Sequence, residues 1–159
     1  GNLDVNIEAI DLDNIISETL SLLAQLSKEM GVQVDEYKLS GVHVYADNIR
    51  LTQVLINLVS NAIKYNKPGG SVKVSVLPSE DGSIRINIVD TGVGINKDKM
   101  LKLFKPFERL GAEQSGIDGV GIGLTISKRL VEAMNGEIGV TSTAGKGSTF
   151  WVKLKSVVK

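Results

Sequence analysis

The chain has 159 residues, 42% hydrophobic and 23% charged, enough for one ordinary globular core and too little for two. Lysine plus arginine and aspartate plus glutamate both total 18, which excludes the bulk positive field of a nucleic-acid or acidic-membrane binder, so any phosphate recognition has to be local. The absence of cysteine rules out disulfides and cysteine-ligated zinc and fits a reducing cytoplasm, while no apolar run reaches membrane-span length and no signal peptide is visible. A start at Gly1 rather than methionine suggests a piece of something larger, whose other segments are free to be membrane-anchored.

In chain order, Asp11 is placed to cap a helix carrying Leu12, Ile15, Ile16, Leu20, Leu23 and Leu26 and ending near Gly31. Residues 32–37 and 42–45 read as strands around a turn at Ser40-Gly41. Asp47 then caps a second helix, which Lys67-Pro68-Gly69-Gly70 stops. Alternating strands at 71–77 and 83–90 form a hairpin across Pro78-Ser79-Glu80-Asp81-Gly82. A short helix at 97–103 leads to Phe104-Lys105-Pro106-Phe107, where the two phenylalanines have a packing role, and then to a glycine-bearing stretch expected to be mobile. A helix over 122–134 precedes strands at 137–142 and 148–155, the last with Trp151 on the face opposite Phe150, Val152 and Leu154. Helices and antiparallel strands in blocks favour an α+β fold: a two-layer sandwich with a mixed, mostly antiparallel sheet and helices on one face.

The second helix holds the most informative residues. Asn57 and Asn61 lie four apart in an otherwise apolar segment, although asparagine costs a helix roughly half a kcal/mol relative to alanine. At about 100° per residue, Asn57, Asn61 and Lys64 share a polar stripe beside the apolar stripe of Leu51, Val54, Leu55, Leu58 and Ala62. Such a surface offers amide oxygens and an ammonium to a hydrated cation and phosphates.

The glycine clusters do not complete familiar nucleotide fingerprints. A G-x-G-x-x-G motif needs glycine where Lys97 follows Gly92 and Gly94, and where Leu124 follows Gly119 and Gly121. Around Gly145-Lys146, a P-loop would need glycine at Val140 and a hydroxyl residue at Gly147.

Four separated blocks do match a known order: the asparagine helix, Asp90-Thr91-Gly92-Val93-Gly94-Ile95, Phe104-Lys105-Pro106-Phe107, and Gly119-Val120-Gly121-Ile122-Gly123-Leu124. Across nearly its whole length the chain resembles the catalytic and ATP-binding domain of bacterial histidine kinases, with the N, first glycine, phenylalanine and second glycine boxes. The wider superfamily includes type II topoisomerase ATPases, a heat-shock chaperone and mismatch-repair ATPases. The resemblance implies a single domain, a shared α/β sandwich and ATP beneath a flexible lid.

The residues give those boxes chemistry. Asp90, at a strand end, can accept a hydrogen bond from adenine's exocyclic amine, where guanine would present a carbonyl. Gly92 and Gly94 let backbone approach the base and Ile95 supplies an apolar wall. Thr149 resembles the family's threonine beside adenine, and could equally be a plain β-branched strand residue. Asn61 matches the magnesium ligand, with Asn57 as its helper; Lys64 would face phosphate and Tyr65 would cover the nucleotide. Gly119, Gly121 and Gly123 would present backbone N–H groups to phosphate at the start of the last helix, within the box that also contains Val120, Ile122 and Leu124. Arg109 is a further phosphate candidate from the lid side.

Hydrolytic relatives carry a glutamate four residues before the magnesium asparagine, where it acts as general base. Here that position is Asn57, an amide that cannot take the proton, which favours a kinase over an ATPase. The resemblance implies transfer of the γ-phosphoryl to a histidine on a separate dimerisation hairpin, with a response regulator further downstream and no membrane contact by this domain. The only histidine, His43, lies in an apolar strand with no acid after it and is a poor phosphoacceptor. A serine kinase of the anti-sigma-factor type and a non-catalytic nucleotide-sensing module remain as alternatives.

Overall fold

The computed structural model describes residues 4–37, 41–92, 120–143 and 145–157. The expected helix at 97–103, the Phe104 to Phe107 segment and the glycine stretch up to Gly119 lie outside them.

Helix α1 (Leu12–Met30) starts where Asp11 accepts a hydrogen bond from the Asp13 N–H at 2.9 Å, and it ends at Gly31. Helix α2 (Asn48–Lys64) is capped by Asp47, whose Oδ1 accepts from the Arg50 N–H at 3.0 Å. One face of α2 is buried through Leu51, Val54, Leu55, Leu58, Val59, Ala62 and Ile63. At about 1.5–3 kcal/mol for each large apolar side chain, that burial far exceeds the propensity cost of two asparagines, so packing decides that the segment is helical.

Strand β1 (Glu8–Asp11) pairs antiparallel with β3 (His43–Ala46) in a two-stranded sheet. The main sheet contains β2 (Gln33–Tyr37), β4 (Ser71–Pro78), β5 (Ser83–Asp90), β6 (Glu137–Thr143) and β7 (Gly147–Lys155), in the order β2-β4-β5-β7-β6. Among the described strands only β2 and β4 pair in parallel, because the chain returns through α2 between them. The two strands expected around Ser40-Gly41 therefore go to different sheets. Val34 aligns with Val72 of β4, while Val44 aligns with Ile10 of β1, a strand the sequence did not suggest. The small sheet is tied to the large one by a Val44–Ser156 bridge and by the Val157 N–H on the His43 carbonyl at 3.0 Å.

The β4–β5 hairpin forms as expected, with Val74 opposite Ile88. Val72, Val74, Val76, Ile84, Ile86, Ile88, Phe150, Val152 and Leu154 are buried in one core with residues of α1, α2 and α3 (Val120–Ala133). This is the expected mixed sheet with helices on one face. On the other face Trp151 is half-buried, with the Arg85 guanidinium 4.5 Å from its ring centroid, a cation–π contact.

Candidate nucleotide and metal site

Helices α2 and α3 run antiparallel. The Asp47 N–H lies 3.3 Å from the Met134 sulfur at one end, and Asn57 Nδ2 donates to Ser127 Oγ at 3.1 Å midway. The C-terminal turn of α2, with Asn61 and Lys64, consequently lies beside the first turn of α3. Helix α3 begins at Val120, two residues earlier than expected, so Gly121 and Gly123 lie within that first turn. N–H groups there have no partner inside the helix and meet the positive end of its dipole.

Along α2, Asn61 Nδ2 donates to Asn57 Oδ1 at 3.5 Å. Asn61 Oδ1 makes no hydrogen bond to a described residue and is not buried. Lys64 is exposed, and Tyr65, half-buried, closes the helix with its N–H on the Asn61 carbonyl at 3.0 Å. Among the described residues no three His, Cys, Asp or Glu side chains gather to hold a metal. An open amide oxygen without a carboxylate cage fits a magnesium ion that keeps several waters and takes its other ligands from phosphate.

The end of β5 meets this corner. Asp90 Oδ1 accepts from the Gly92 N–H at 2.9 Å and the Ser148 N–H at 3.3 Å. Its Oδ2 makes no hydrogen bond to a described residue and keeps some contact with solvent, although Asp90 as a whole is half-buried. Burial pushes the Asp90 carboxyl above its ordinary pKa, and the two backbone donors only partly offset that rise. Thr91 Oγ1 accepts from the Ser71 N–H at 2.9 Å, and Asn66 Nδ2 donates to the Ser71 carbonyl at 2.9 Å, tying β5 to the loop after α2. A Cβ on Gly92 would lie 2.8 Å from the Tyr65 carbonyl oxygen, and one on Gly147, at φ +125°, would run into the Asp90 carbonyl oxygen. Glycine at these two positions lets the ends of α2, β5 and β7 close together.

The fold thus gathers Asn57, Asn61, Lys64, Tyr65, Asp90, Gly92 and the start of α3. Leu124 is buried in the core of α3. Gly94, Ile95, Arg109 and Gly119 lie outside the described residues, as do the side chains of Val120 and Ile122. Thr149 does not face Asp90. It aligns with Val89 on the sheet face opposite the helices, and Ser148 is the residue beside Asp90. Strand alternation makes the difference, since Ser148 shares the face of Phe150 and Val152. Ser148 Oγ also lies 2.7 Å from Ser142 Oγ. Besides Ser148, the sequence reading missed Ser127, a hydroxyl buried among the apolar residues of α3. His43 is on β3, at the opposite end of α2 from Asn61, with Nδ1 3.1 Å from the Gly41 carbonyl oxygen.

Known proteins agree with this architecture. The family described as histidine kinase-, DNA gyrase B-, and HSP90-like ATPase matches residues 46–157. The sensor protein GacS of Pseudomonas syringae is 38% identical over 98% of this chain, and the adaptive-response sensory kinase SasA of Synechococcus elongatus is 46% identical over 67% of it. The chain spans 18% and 27% of the lengths of these two relatives. Among solved structures, full-length ShkA in complex with AMPPNP superposes with a TM-score of 0.84 at 26% identity, over 100% of this chain and 33% of ShkA. The nucleotide-free catalytic domain of the histidine kinase ThkA gives 0.82 at 25% identity, over 95% of this chain and 96% of that domain. With the profile match covering most of its length and relatives that are sensor histidine kinases, the chain belongs to the histidine kinase-, DNA gyrase B-, and HSP90-like ATPase family as a histidine-kinase-type ATP-binding domain.

Proposed function

We propose that this domain binds magnesium-ATP and donates the γ-phosphoryl group to a histidine on a separate dimerisation hairpin, as the catalytic part of a two-component sensor kinase that feeds a response regulator. The observation that carries the proposal is a pair of open oxygens at one corner of the sandwich, Asn61 Oδ1 and Asp90 Oδ2, beside the first turn of α3. In this reading Asp90 Oδ2 accepts from the adenine amine, and Ser148 takes the neighbouring role the sequence had given to Thr149. Asn61 Oδ1 would be one of the magnesium ligands. Lys64 and the N–H groups of Gly121 and Gly123 face the phosphates, and Tyr65 covers the nucleotide.

Magnesium would neutralise phosphate charge, while the chain itself contributes position and preorganised dipoles. Asn57 supports transfer over hydrolysis. Both ends of its amide are engaged, by Ser127 and Asn61, and it has no basic group to activate water. The domain must therefore hold ATP for a nucleophile brought by the hairpin.

The test is to mix the chain with a histidine-bearing hairpin and γ-labelled ATP in magnesium, then measure the chemical stability of the label on the hairpin. Label that is lost in acid and kept in alkali is expected. Acid-stable label would instead indicate a serine kinase, and ATP binding without transfer would indicate a nucleotide-sensing module.

A further inference from the structure

We propose that Ser127 is a positioning residue that sets the direction of the Asn57–Asn61 amide pair, so that Asn61 offers oxygen rather than nitrogen to magnesium. The inference rests on the proposed metal role of Asn61. It begins with a hydroxyl that packing does not require. Ser127 is 2% exposed, on the inward stripe of α3 with Leu124, Leu130 and Val131, all apolar, and with Met134 just beyond the helix. Its hydroxyl receives Asn57 Nδ2 across the helix interface at 3.1 Å.

A side-chain amide is a donor on one side and an acceptor on the other, so hydrogen bonds in series have a direction. With Nδ2 of Asn57 on Ser127, Oδ1 of Asn57 turns toward Asn61 and takes its Nδ2 at 3.5 Å. Asn61 Oδ1 is then left open. The reverse chain is equally continuous: the Ser127 hydroxyl donates to Asn57 Oδ1, Asn57 Nδ2 donates to Asn61 Oδ1, and Asn61 presents its NH2 group outward. That arrangement turns the side-chain oxygen of Asn61 inward toward Asn57 and points donors at the cation.

The geometry holds the metal-competent direction: Ser127 Oγ accepts from Asn57 Nδ2, and that bond keeps Asn57 Oδ1 turned toward Asn61. An alanine at 127 accepts nothing. Asn57 would lose the bond that fixes its Nδ2, and the amide would be free to turn over. The residue reaches the metal only through Asn57 and Asn61, so the expected signature is a loss of magnesium dependence rather than a general loss of nucleotide binding.

The experiment measures ATP affinity of the chain by calorimetry in magnesium and in EDTA, and takes the ratio of the two dissociation constants as the readout. Asn61→Ala should bring the ratio close to one. Ser127→Ala should lower it about fivefold, the equilibrium equivalent of one net hydrogen bond, with EDTA affinity nearly unchanged and the melt lowered only by the few degrees that the same lost bond accounts for. Adding Asn57→Ala to Ser127→Ala should lower the ratio no further than Asn57→Ala does alone, because both act through one chain of bonds. Ser127→Cys, close in volume but a poor acceptor, should also lower the ratio and serves if the alanine variant does not fold.

An unchanged ratio in Ser127→Ala or Ser127→Cys, with a collapsed ratio in Asn61→Ala, overturns the role of Ser127 alone. A ratio unchanged in Asn61→Ala overturns the metal assignment and this inference with it. A drop in both affinities by the same factor would show that Ser127 only packs the two helices together.

Discussion

Replacing Asp90 by asparagine separates what this residue does for the fold from what it is proposed to do for the nucleotide. Both backbone bonds, from Gly92 and Ser148, fall on Oδ1, which asparagine retains. The change is confined to the open atom, where Oδ2 becomes an NH2 group. Its partner in the proposed complex is adenine's own amine, so an acceptor facing a donor becomes a donor facing a donor. A hydrogen bond to a charged group contributes about 1.5–3 kcal/mol, which corresponds to a loss of ATP affinity of roughly 10- to 150-fold.

Stability should move the other way. Because the folded carboxyl is raised above its ordinary value of 3.8, its ionisation works against folding. That penalty is absent at pH below 3.8, develops between 3.8 and the raised folded value, and is complete above it. Asp90→Asn should therefore melt at or above the wild-type temperature at neutral pH, with the advantage vanishing in acid. Calorimetric titration with ATP and a set of melts from pH 3 to pH 8 measure the two effects separately. ATP affinity within twofold of wild type would refute the placement of adenine at Oδ2, and a variant that melts well below wild type at neutral pH would refute the account of the raised pKa.

Asn61→Ala should abolish transfer to a supplied hairpin while the melt stays within about 1 kcal/mol of wild type, since Asn61 Oδ1 bonds to no described residue; transfer assays and thermal denaturation check the two halves. Gly147→Ala combines a strained backbone with a collision against the Asp90 carbonyl and should cost about 1–3 kcal/mol and weaken ATP binding, read by denaturant melts and titration. Asp47→Ala should cost about 1–2 kcal/mol, because its oxygens cap α2 and hold the Asn6 N–H at 2.7 Å. Burial raises the Asp47 pKa, but the N–H groups of Asn6, Arg50 and Ile49 and the Arg50 charge together bring it below 3.8. Its stabilisation is thus present above pH 3.8 and lost as pH falls through the lower folded value, so the wild-type and Asp47→Ala melts should converge only in strong acid.

The placement of this corner was legible where it is built from local patterns. The i, i+4 asparagine spacing on an apolar helix and the aspartate at a strand end followed by Gly92 are each set within a few residues. The β4–β5 hairpin and the caps at Asp11 and Asp47 were legible for the same reason. What escaped depends on partners far along the chain. The parallel pairing of β2 with β4 follows from α2 carrying the chain back, and β1 forms only because β3 lies against it. Ser127 gains significance only when α3 packs antiparallel to α2, 70 residues from Asn57. In sequence, Thr149 reads as either a residue beside adenine or a plain strand residue, with Ser148 not considered, although the period-two pattern of Phe150 and Val152 puts Ser148 on the helix-facing side.

The most direct test of the proposed site is a crystal structure of the chain with magnesium and a non-hydrolysable ATP analogue. The account predicts Asn61 Oδ1 about 2.0–2.1 Å from the metal, Asp90 Oδ2 within about 3 Å of the adenine amine, and phosphates beside the first turn of α3. A nucleotide bound with its adenine away from Asp90, or with magnesium held without Asn61, would contradict it.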